Sequence, residues 1–371
     1  MYTIIFYNIS SGIRMKSICF LIGDFNNSGG TERVTALISN ELVRYGYEVN
    51  ILSIFNGYDP FFEISDAVKI HSLYSKEVSF KINFLKTIIK TRAFLKAEKI
   101  DTLIVVDSIS CIFTIPAVFN LNTKHICWEH FNFNDNNGVK IRDISRLLSA
   151  RYCDYVVTLT TKDTELWRKG LKKINAKIKS IPNPSSYENI KHEPSLDFKV
   201  ALAVGRLTYV KGFDMLINAW AIFCQDNSEW KLRIVGSGEE ERSLKLQASI
   251  LGISKRIDFI PVTKNIQKYY ETSSYYCLSS RFEGFGLVMV EAQSFGLPVV
   301  AFNCDVGPSD IIENGINGYL VEKNDVSALA CHFIYFSKIE KSNYDILSIN
   351  SKAKNEKYSI GNIIQEWVDI I

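Results

Sequence analysis

The chain has 371 residues, 47% of them hydrophobic and 22% charged, and a formal net charge of +3. That length exceeds one ordinary hydrophobic core, so two domains are expected, and the composition is that of a soluble globular protein and excludes a disordered or fibrous chain. The longest apolar stretch, 103–118, is interrupted by Asp107 and Pro116, so no membrane-spanning helix is expected.

In chain order, residues 1–14 are apolar but have no basic leader and no small-residue cleavage pattern, which argues against a signal peptide. Met15, just before Lys16 and the first strand, is a more natural beginning than Met1. A strand is predicted over 18–23, then a Gly-rich loop, a helix over 32–45 closed by a left-handed cap at Gly46, and a strand over 48–55. Residues 81–99 mix Ile82, Phe84, Leu85, Ile88, Ile89, Phe94 and Leu95 with six Lys and Arg. This basic amphipathic pattern is expected to pack its apolar side on a sheet and to leave a basic rim free for anionic lipid headgroups. Strands follow over 102–107, 125–129 and 155–159. Short apolar runs separated by helical patterns make a parallel sheet.

Pro182, Pro184 and Pro194 break the pattern and mark the domain boundary. Alternation then restarts with strands over 199–204, 231–235, 257–260 and 274–278, and helices over 214–225 and 240–251. The fold class is therefore α/β, with two doubly wound Rossmann-like domains facing a central cleft, where ligands of such sheets bind. The expected division is 1–184 for the first domain and 185–359 for the second.

Charge is uneven between the halves. Residues 1–190 hold 24 Lys and Arg against 18 Asp and Glu; residues 191–371 hold 19 against 22. The front half is the one attracted to an anionic surface, and neither half has the basic and aromatic interleaving of a nucleic-acid binder. Eight cysteines (19, 111, 127, 153, 224, 277, 304 and 331) include no Cys-x-x-Cys pair, which points to buried thiols in a reducing, cytoplasmic compartment.

The richest motif runs from Ser280 to Glu291. In a single helix Glu283 and Glu291 would stand about 12 Å apart, too far to share one proton transfer, so the two carboxylates are expected to do different things. Glu283 is placed in a loop, Gly284 and Gly286 bring backbone N–H groups of 284–287 (Gly284, Phe285, Gly286, Leu287) towards an anion, and Glu291 sits in the helix that follows. One motif upstream, Arg206 and Lys211 share a strand-to-helix loop between Gly205 and Gly212. A planar guanidinium and a mobile ammonium suit a leaving nucleoside diphosphate better than they suit a solvated surface.

Gly236, Ser237 and Gly238 mimic a dinucleotide fingerprint, with Asp258 twenty residues on, but Glu241 stands where the third glycine belongs. Glu239 and Glu240 beside it would repel a pyrophosphate, so an NAD site is not expected. In the front half Gly29 and Gly30 allow either a close backbone approach to a ligand or a plain tight turn. His130 can position a reacting sugar or serve structure alone. His125 and Cys127 suggest a metal, but their spacing matches no standard ligand set, and none is expected.

Taken together, Gly205-Arg-Leu-x3-Lys-Gly212, Gly236-Ser-Gly238, Ser280-x2-Glu-Gly-Phe-Gly286, Glu291-Ala, Gly296-Leu-Pro-Val and Asn314-Gly-x2-Gly-Tyr-Leu320 resemble the retaining glycosyltransferases of family 4, which have the GT-B fold. Gly29-Gly-Thr-Glu32 and His130 fit the family's weaker front-domain pattern. Gly307-Pro-Ser-Asp-Ile-Ile312 is similar to the subset that builds bacterial surface polysaccharides from UDP-hexoses. The resemblance implies that Arg206 and Lys211 hold the donor diphosphate and that Glu291 holds the ribose. It gives Glu283 and the backbone of 284–286 the donor sugar and phosphates, and sets His130 near the reacting carbon.

It also implies a C-terminal helix over 360–371 crossing back to the first domain. The expected protein is thus a cytoplasmic, peripherally membrane-associated hexosyltransferase. It takes a UDP-sugar as substrate, needs no cofactor and no metal, and acts on a glycan or polyprenyl-diphosphate-linked acceptor. A sugar-nucleotide epimerase or hydrolase of the same fold, or a non-catalytic binder, is the alternative.

Overall fold

The computed structural model describes residues 14–136 and 138–371. The choice between Met1 and Met15 as the start turns on residues 1–13, which lie outside the described residues.

Seven strands form the first sheet: β1 (Ser17–Ile22), β2 (Glu48–Phe55), β3 (Lys69–Tyr74), β4 (Thr102–Val106), β5 (Lys124–Trp128), β6 (Tyr155–Thr158) and β7 (Lys177–Ser180). They lie in the order β3-β2-β1-β4-β5-β6-β7 and all pair in parallel. Helices α1 (Gly30–Arg44), α2 (Phe80–Ala97), α3 (Cys111–Val118), α4 (Ile141–Tyr152) and α5 (Thr161–Gly170) make the crossovers. Covered on both faces, β1 is buried along its whole length, which is why its sequence is one apolar run without alternation. The edge strand β3 has a mixed sequence with only Leu73 and Tyr74 buried, and it carries no such signal.

Six strands form the second sheet: β8 (Val200–Val204), β9 (Lys231–Val235), β10 (Ile257–Ile260), β11 (Tyr275–Leu278), β12 (Val299–Asn303) and β13 (Gly318–Glu322). Their order is β10-β9-β8-β11-β12-β13, again all parallel. Around it run α6 (Phe213–Phe223), α7 (Glu241–Ile250), α8 (Gln267–Glu271), α9 (Leu287–Ser294), α10 (Pro308–Ile311), α11 (Val326–Lys338) and α12 (Lys341–Asn355). Strand order reverses between β1 and β4 in one sheet and between β8 and β11 in the other. Each reversal opens a crevice at the carboxyl ends, and the two sheets are thus two Rossmann-like domains.

The last helix, α13 (Ile360–Val368), packs against α1 of the first unit. Its Trp367 is fully buried and meets Trp128 edge to face, ring centroids 4.9 Å apart. Lys16 and Lys124 hold the carbonyl of Ile371 at 3.2 and 3.1 Å. Where the chain passes between the units in each direction the two passages touch, Ser185 N–H donating to the Tyr358 carbonyl at 2.7 Å.

Helix α2 packs on the sheet through Phe84, Ile88, Phe94 and Leu95 as expected, but not with all of its apolar residues. Thr87, Thr91 and Leu95 are its buried residues, whereas Ile82, Leu85 and Ile89 are 85, 72 and 67% exposed. The threonines face the sheet because Thr87 meets the buried Tyr74 hydroxyl at 3.0 Å and also donates to the Asn83 carbonyl. The outer face therefore carries Ile82, Leu85 and Ile89 alongside the exposed Lys81, Lys86 and Lys96 of the expected basic rim.

Candidate active site

The loop between β11 and α9 has the form expected from its glycines. Helix α9 begins at Leu287, so Glu283 lies in the loop and Glu291 in the helix. Gly286 caps the helix at φ 94°, a left-handed conformation that a side chain disfavours. Gly284 is required for a different reason from the one expected. A Cβ there would lie 2.0 Å from the carbonyl oxygen of His130, so a bare backbone lets the loops after β5 and β11 touch across the cleft. Phe285 is buried and packs edge to face on Tyr358, contributing ring and backbone to the same wall.

Lys211 and Glu283 come together directly. The ammonium donates to Glu283 Oε1 at 2.6 Å, and Ser280 Oγ donates to the same oxygen at 2.6 Å. Among the described residues Glu283 Oε2 has no hydrogen bond, so one lone-pair edge of a nearly buried carboxylate is free. Arg206 stands apart from this pair. It is exposed and, among the described residues, makes no ion pair; the carboxylate that feels its charge is Glu32, on α1 of the other unit. Gly236 sits against the Gly205 carbonyl, holding the loop after β9 beside the loop that carries Arg206 and Lys211.

From the first sheet, Gly29 is the N-cap of α1 and Gly30 its first residue. A Cβ on Gly30 would stand 3.9 Å from Leu287 Cδ2, which brings the N-termini of α1 and α9 face to face. Glu32, which the front-domain motif includes but to which no role was given, folds its carboxylate back on this N-terminus and accepts from Thr31 Oγ1 at 2.9 Å. Burial raises its pKa, against the lowering effect of the backbone amides, Thr31 and Arg206.

Glu291 was expected to face the ribose. It is 1% exposed and fully engaged: Arg33 and Ser186 reach Oε1 at 2.8 and 3.1 Å, and the Tyr270 hydroxyl donates to Oε2 at 2.9 Å. Arg33 comes from α1 and also donates to the Tyr187 hydroxyl at 3.1 Å, so this ion pair locks the two units together.

His130 follows β5 with its ring 4.4 Å from Trp128. Its Nε2 is sealed from solvent and has no hydrogen-bond partner among the described residues. Burial pushes its pKa down to about 3, so the ring is neutral at physiological pH and can bind through a hydrogen bond but not through charge. The residue that aims it is Glu129, likewise given no role from the sequence. This buried carboxylate accepts from the N–H groups of His130 and Phe131, both at 3.1 Å, from Ser108 at 2.6 Å and from Arg146 at 3.0 Å. Arg142 bridges Glu129 and Asp107. Asp107 holds a positive φ of 85° at the end of β4, and burial together with Glu129 raises its pKa to about 6.

The groove of 510 Å³ lined by Tyr187, Glu188, Lys352 and Asn362 lies at the chain crossover and includes none of the expected site residues. The predicted residues gather instead where the two sheets' carboxyl ends meet. The pairs that span that cleft include Gly30 with Leu287, Glu32 with Arg206, Arg33 with Glu291, and His130 with Gly284.

Two Rossmann-like units joined face to face at their switch points, with a C-terminal helix returning to the first, make up the GT-B fold. Comparison with known proteins is concordant. Residues 28–186 match the model for Glycosyltransferase Family 4 and residues 187–353 that for Glycosyl transferases group 1. An uncharacterized glycosyltransferase of Haemophilus influenzae is 39% identical over 96% of this chain and 100% of that protein.

A Campylobacter jejuni enzyme named GalNAc-α-(1→4)-GalNAc-α-(1→3)-diNAcBac-PP-undecaprenol α-1,4-N-acetyl-D-galactosaminyltransferase is 27% identical over 96% of this chain and 98% of its own. The crystal structure of Anabaena HepE in complex with UDP and glucose superimposes with a TM-score of 0.81 at 18% identity, covering 96% of this chain and 99% of that one. The chain belongs to glycosyltransferase family 4.

Proposed function

We propose that the protein is a retaining hexosyltransferase that moves Gal, GalNAc, Glc or GlcNAc from UDP to a lipid-linked or oligosaccharide acceptor in bacterial surface-polysaccharide synthesis. The observation that carries this reading is the convergence, across one cleft, of the loops after β1 and β5 with those after β8 and β11. In the reading, the free N–H groups at the start of α9 and the side chains of Arg206 and Lys211 hold the diphosphate and stabilise the charge that grows on departing UDP. These cations supply the countercharge, so the reaction proceeds without a metal. Glu283, oriented by Lys211 and Ser280, offers its free oxygen to a donor hydroxyl, and the neutral His130 ring, whose sealed Nε2 lacks a partner, offers a second hydrogen bond to the sugar once parting of the units bares that atom. Glu291 reaches the ribose once Arg33 yields one of its oxygens.

In a same-face displacement the bond from the anomeric carbon to the phosphate oxygen breaks as the acceptor oxygen bonds to that carbon. The acceptor's proton passes to the departing phosphate oxygen, so no protein base is consumed. The Campylobacter enzyme's named acceptor, an undecaprenyl diphosphate glycan, supports a polyprenyl-linked acceptor here. Such an acceptor is delivered at a membrane. No helix among the described residues is long and apolar enough to cross one. The exposed Ile82, Leu85 and Ile89 of α2, flanked by Lys81 and Lys86, supply a peripheral foothold on an anionic cytoplasmic leaflet.

Release of UDP from each UDP-hexose, with and without a polyprenyl-diphosphate glycan and with excess EDTA, tests the reading. Acceptor-dependent, EDTA-insensitive release is expected, with the product's new linkage in the donor's anomeric configuration by NMR. Donor consumption that ignores the acceptor, or an inverted product, overturns it.

A further inference from the structure

The first sheet brings together a cluster that takes no part in the cleft. His125 and Cys127 point to one face of β5, as residues two apart on a strand do. Cys111 opens α3, and Cys153 follows the last residue of α4. The four are at most 5% exposed, and all three thiols belong to the core under α3 and α4. The ligand atoms of Cys111, His125 and Cys153 all lie within 4.8 Å of one another. The thiols of Cys127 and Cys153 neighbour that of Cys111 in the same core, Cys127 lying outside the 4.8 Å group.

The geometry points to a structural zinc site made by Cys111, His125 and Cys153, with Cys127, outside that 4.8 Å group but beside Cys111, turning in as the fourth ligand. Tetrahedral zinc with metal–sulfur bonds of about 2.3 Å and metal–nitrogen bonds of about 2.0 Å separates a sulfur and a nitrogen ligand by about 3.5 Å. Cys153 Sγ and His125 Nδ1 are 3.5 Å apart. The other ring nitrogen, Nε2, lies 3.1 Å from Thr114 Oγ1. An N–H donated there leaves the Nδ1 lone pair free for a metal, the outer partner that ligating histidines usually have. A second fastening sets the corner: the His125 backbone N–H donates to Asp154 Oδ2 at 2.7 Å, holding Cys153 beside the ring.

Three thiols and one imidazole form a soft donor set that selects zinc among the abundant divalent cations. Binding releases the three thiol protons to solvent and leaves one net negative charge on the site. The hydroxyl of Ser149 lies beside Cys111 and Cys153 and donates its proton to the Ser145 carbonyl at 2.8 Å. Complete burial leaves no open position for substrate, so the metal would tie α3 and the α4–β6 corner to the strand that ends in Glu129 and His130. The sequence spacing of His125 and Cys127 does not show this set, because Cys111 and Cys153 join them only through the sheet.

The test uses the full chain, freed of any affinity tag, from cells grown in zinc-supplemented medium and purified without chelators. About one zinc per chain is expected by plasma mass spectrometry, released to a chromogenic chelator when the protein is unfolded in guanidine. Cys111→Ser and Cys153→Ser should each lose at least about tenfold in zinc content, and Cys331→Ser, at an exposed position, should keep it. Cobalt-grown wild type should show the intense visible bands of a tetrahedral site and near-ultraviolet thiolate charge transfer, a readout that does not depend on whether a variant folds. Wild type without zinc and without a thiolate–cobalt spectrum overturns the proposal, as does zinc that stays unchanged in both cysteine variants.

Discussion

Buried charge is used differently at the carboxyl ends of the two sheets. In the first, Asp107, Glu129, Arg142 and Arg146 pair with one another, Arg142 Nε being left without a partner among the described residues, and the Arg146 guanidinium, 1% exposed, also donates to the carbonyls of Asn132, Phe133 and Asp135. In the second, Lys211 shares one oxygen of Glu283 with Ser280, and Arg206 is left exposed. A closed network can only hold a shape. An incomplete one retains free donors and a free acceptor for something else to bind, so the first end reads as a scaffold for His130 and the second as the place where a ligand's charge is met.

The sharpest way to break that contrast is to remove the hub of the closed network. Glu129→Ala leaves Arg146 buried without its carboxylate and should cost about 3–5 kcal/mol in urea unfolding. A loss below about 1 kcal/mol would show the network to be slack. Lys211→Ala should do the reverse, costing at most about 1 kcal/mol in stability while kcat/KM for transfer falls by about 10²–10³. Arg206→Ala should weaken UDP binding by about 10–100-fold in calorimetry, the value of one charge-assisted hydrogen bond, with an unchanged melting temperature. Wild-type affinity in that variant would remove Arg206 from the diphosphate site.

The smallest effect is a pH dependence read from His130. In the folded chain its pKa is pushed down to about 3 from the ordinary 6.5, so between those values the unfolded chain binds more protons. Stability from this group is therefore full above pH 6.5 and falls as pH falls, by about 1.4 kcal/mol per unit. Asp107 and Asp163 act oppositely. Burial raises them to about 6 and about 7, so their contribution is full below the ordinary 3.8 and is lost as pH rises through those values. His130→Phe should accordingly gain stability relative to wild type when unfolding is compared at pH 7 and pH 5. His125, also lowered by burial, is present in both proteins and drops out of the difference. Parallel pH profiles would show that the ring is hydrated.

The alternation of parallel strands and helices was legible because strands covered on both faces must be continuously apolar, and β1, β4 and β8 are. The division of Glu283 from Glu291 was legible too, since Gly284 and Gly286 mark a turn that no helix interior keeps. Pairings across the cleft were not. Nothing local to Arg33 or Glu291 says that they meet, and the same holds for Glu32 beside Arg206 or for Glu129 as a buried hub. Helix α2 was only partly legible for a related reason: Ile and Lys at helical spacing do not say which apolar residues meet the sheet, and Ile82, Leu85 and Ile89 stay outside while Thr87, bonded to Tyr74, turns in.

The double passage of the chain between the units, stapled by Ser185 and Tyr358, has a mechanical consequence. Two adjacent tethers at one edge permit a rotation about the line joining them and resist sliding or twisting. The Arg33–Glu291 pair sits against that edge, tied to it through Ser186 and Tyr187, so it braces a hinge whose pins are residues 185 and 358. Swinging it would admit a sugar nucleotide from one side only.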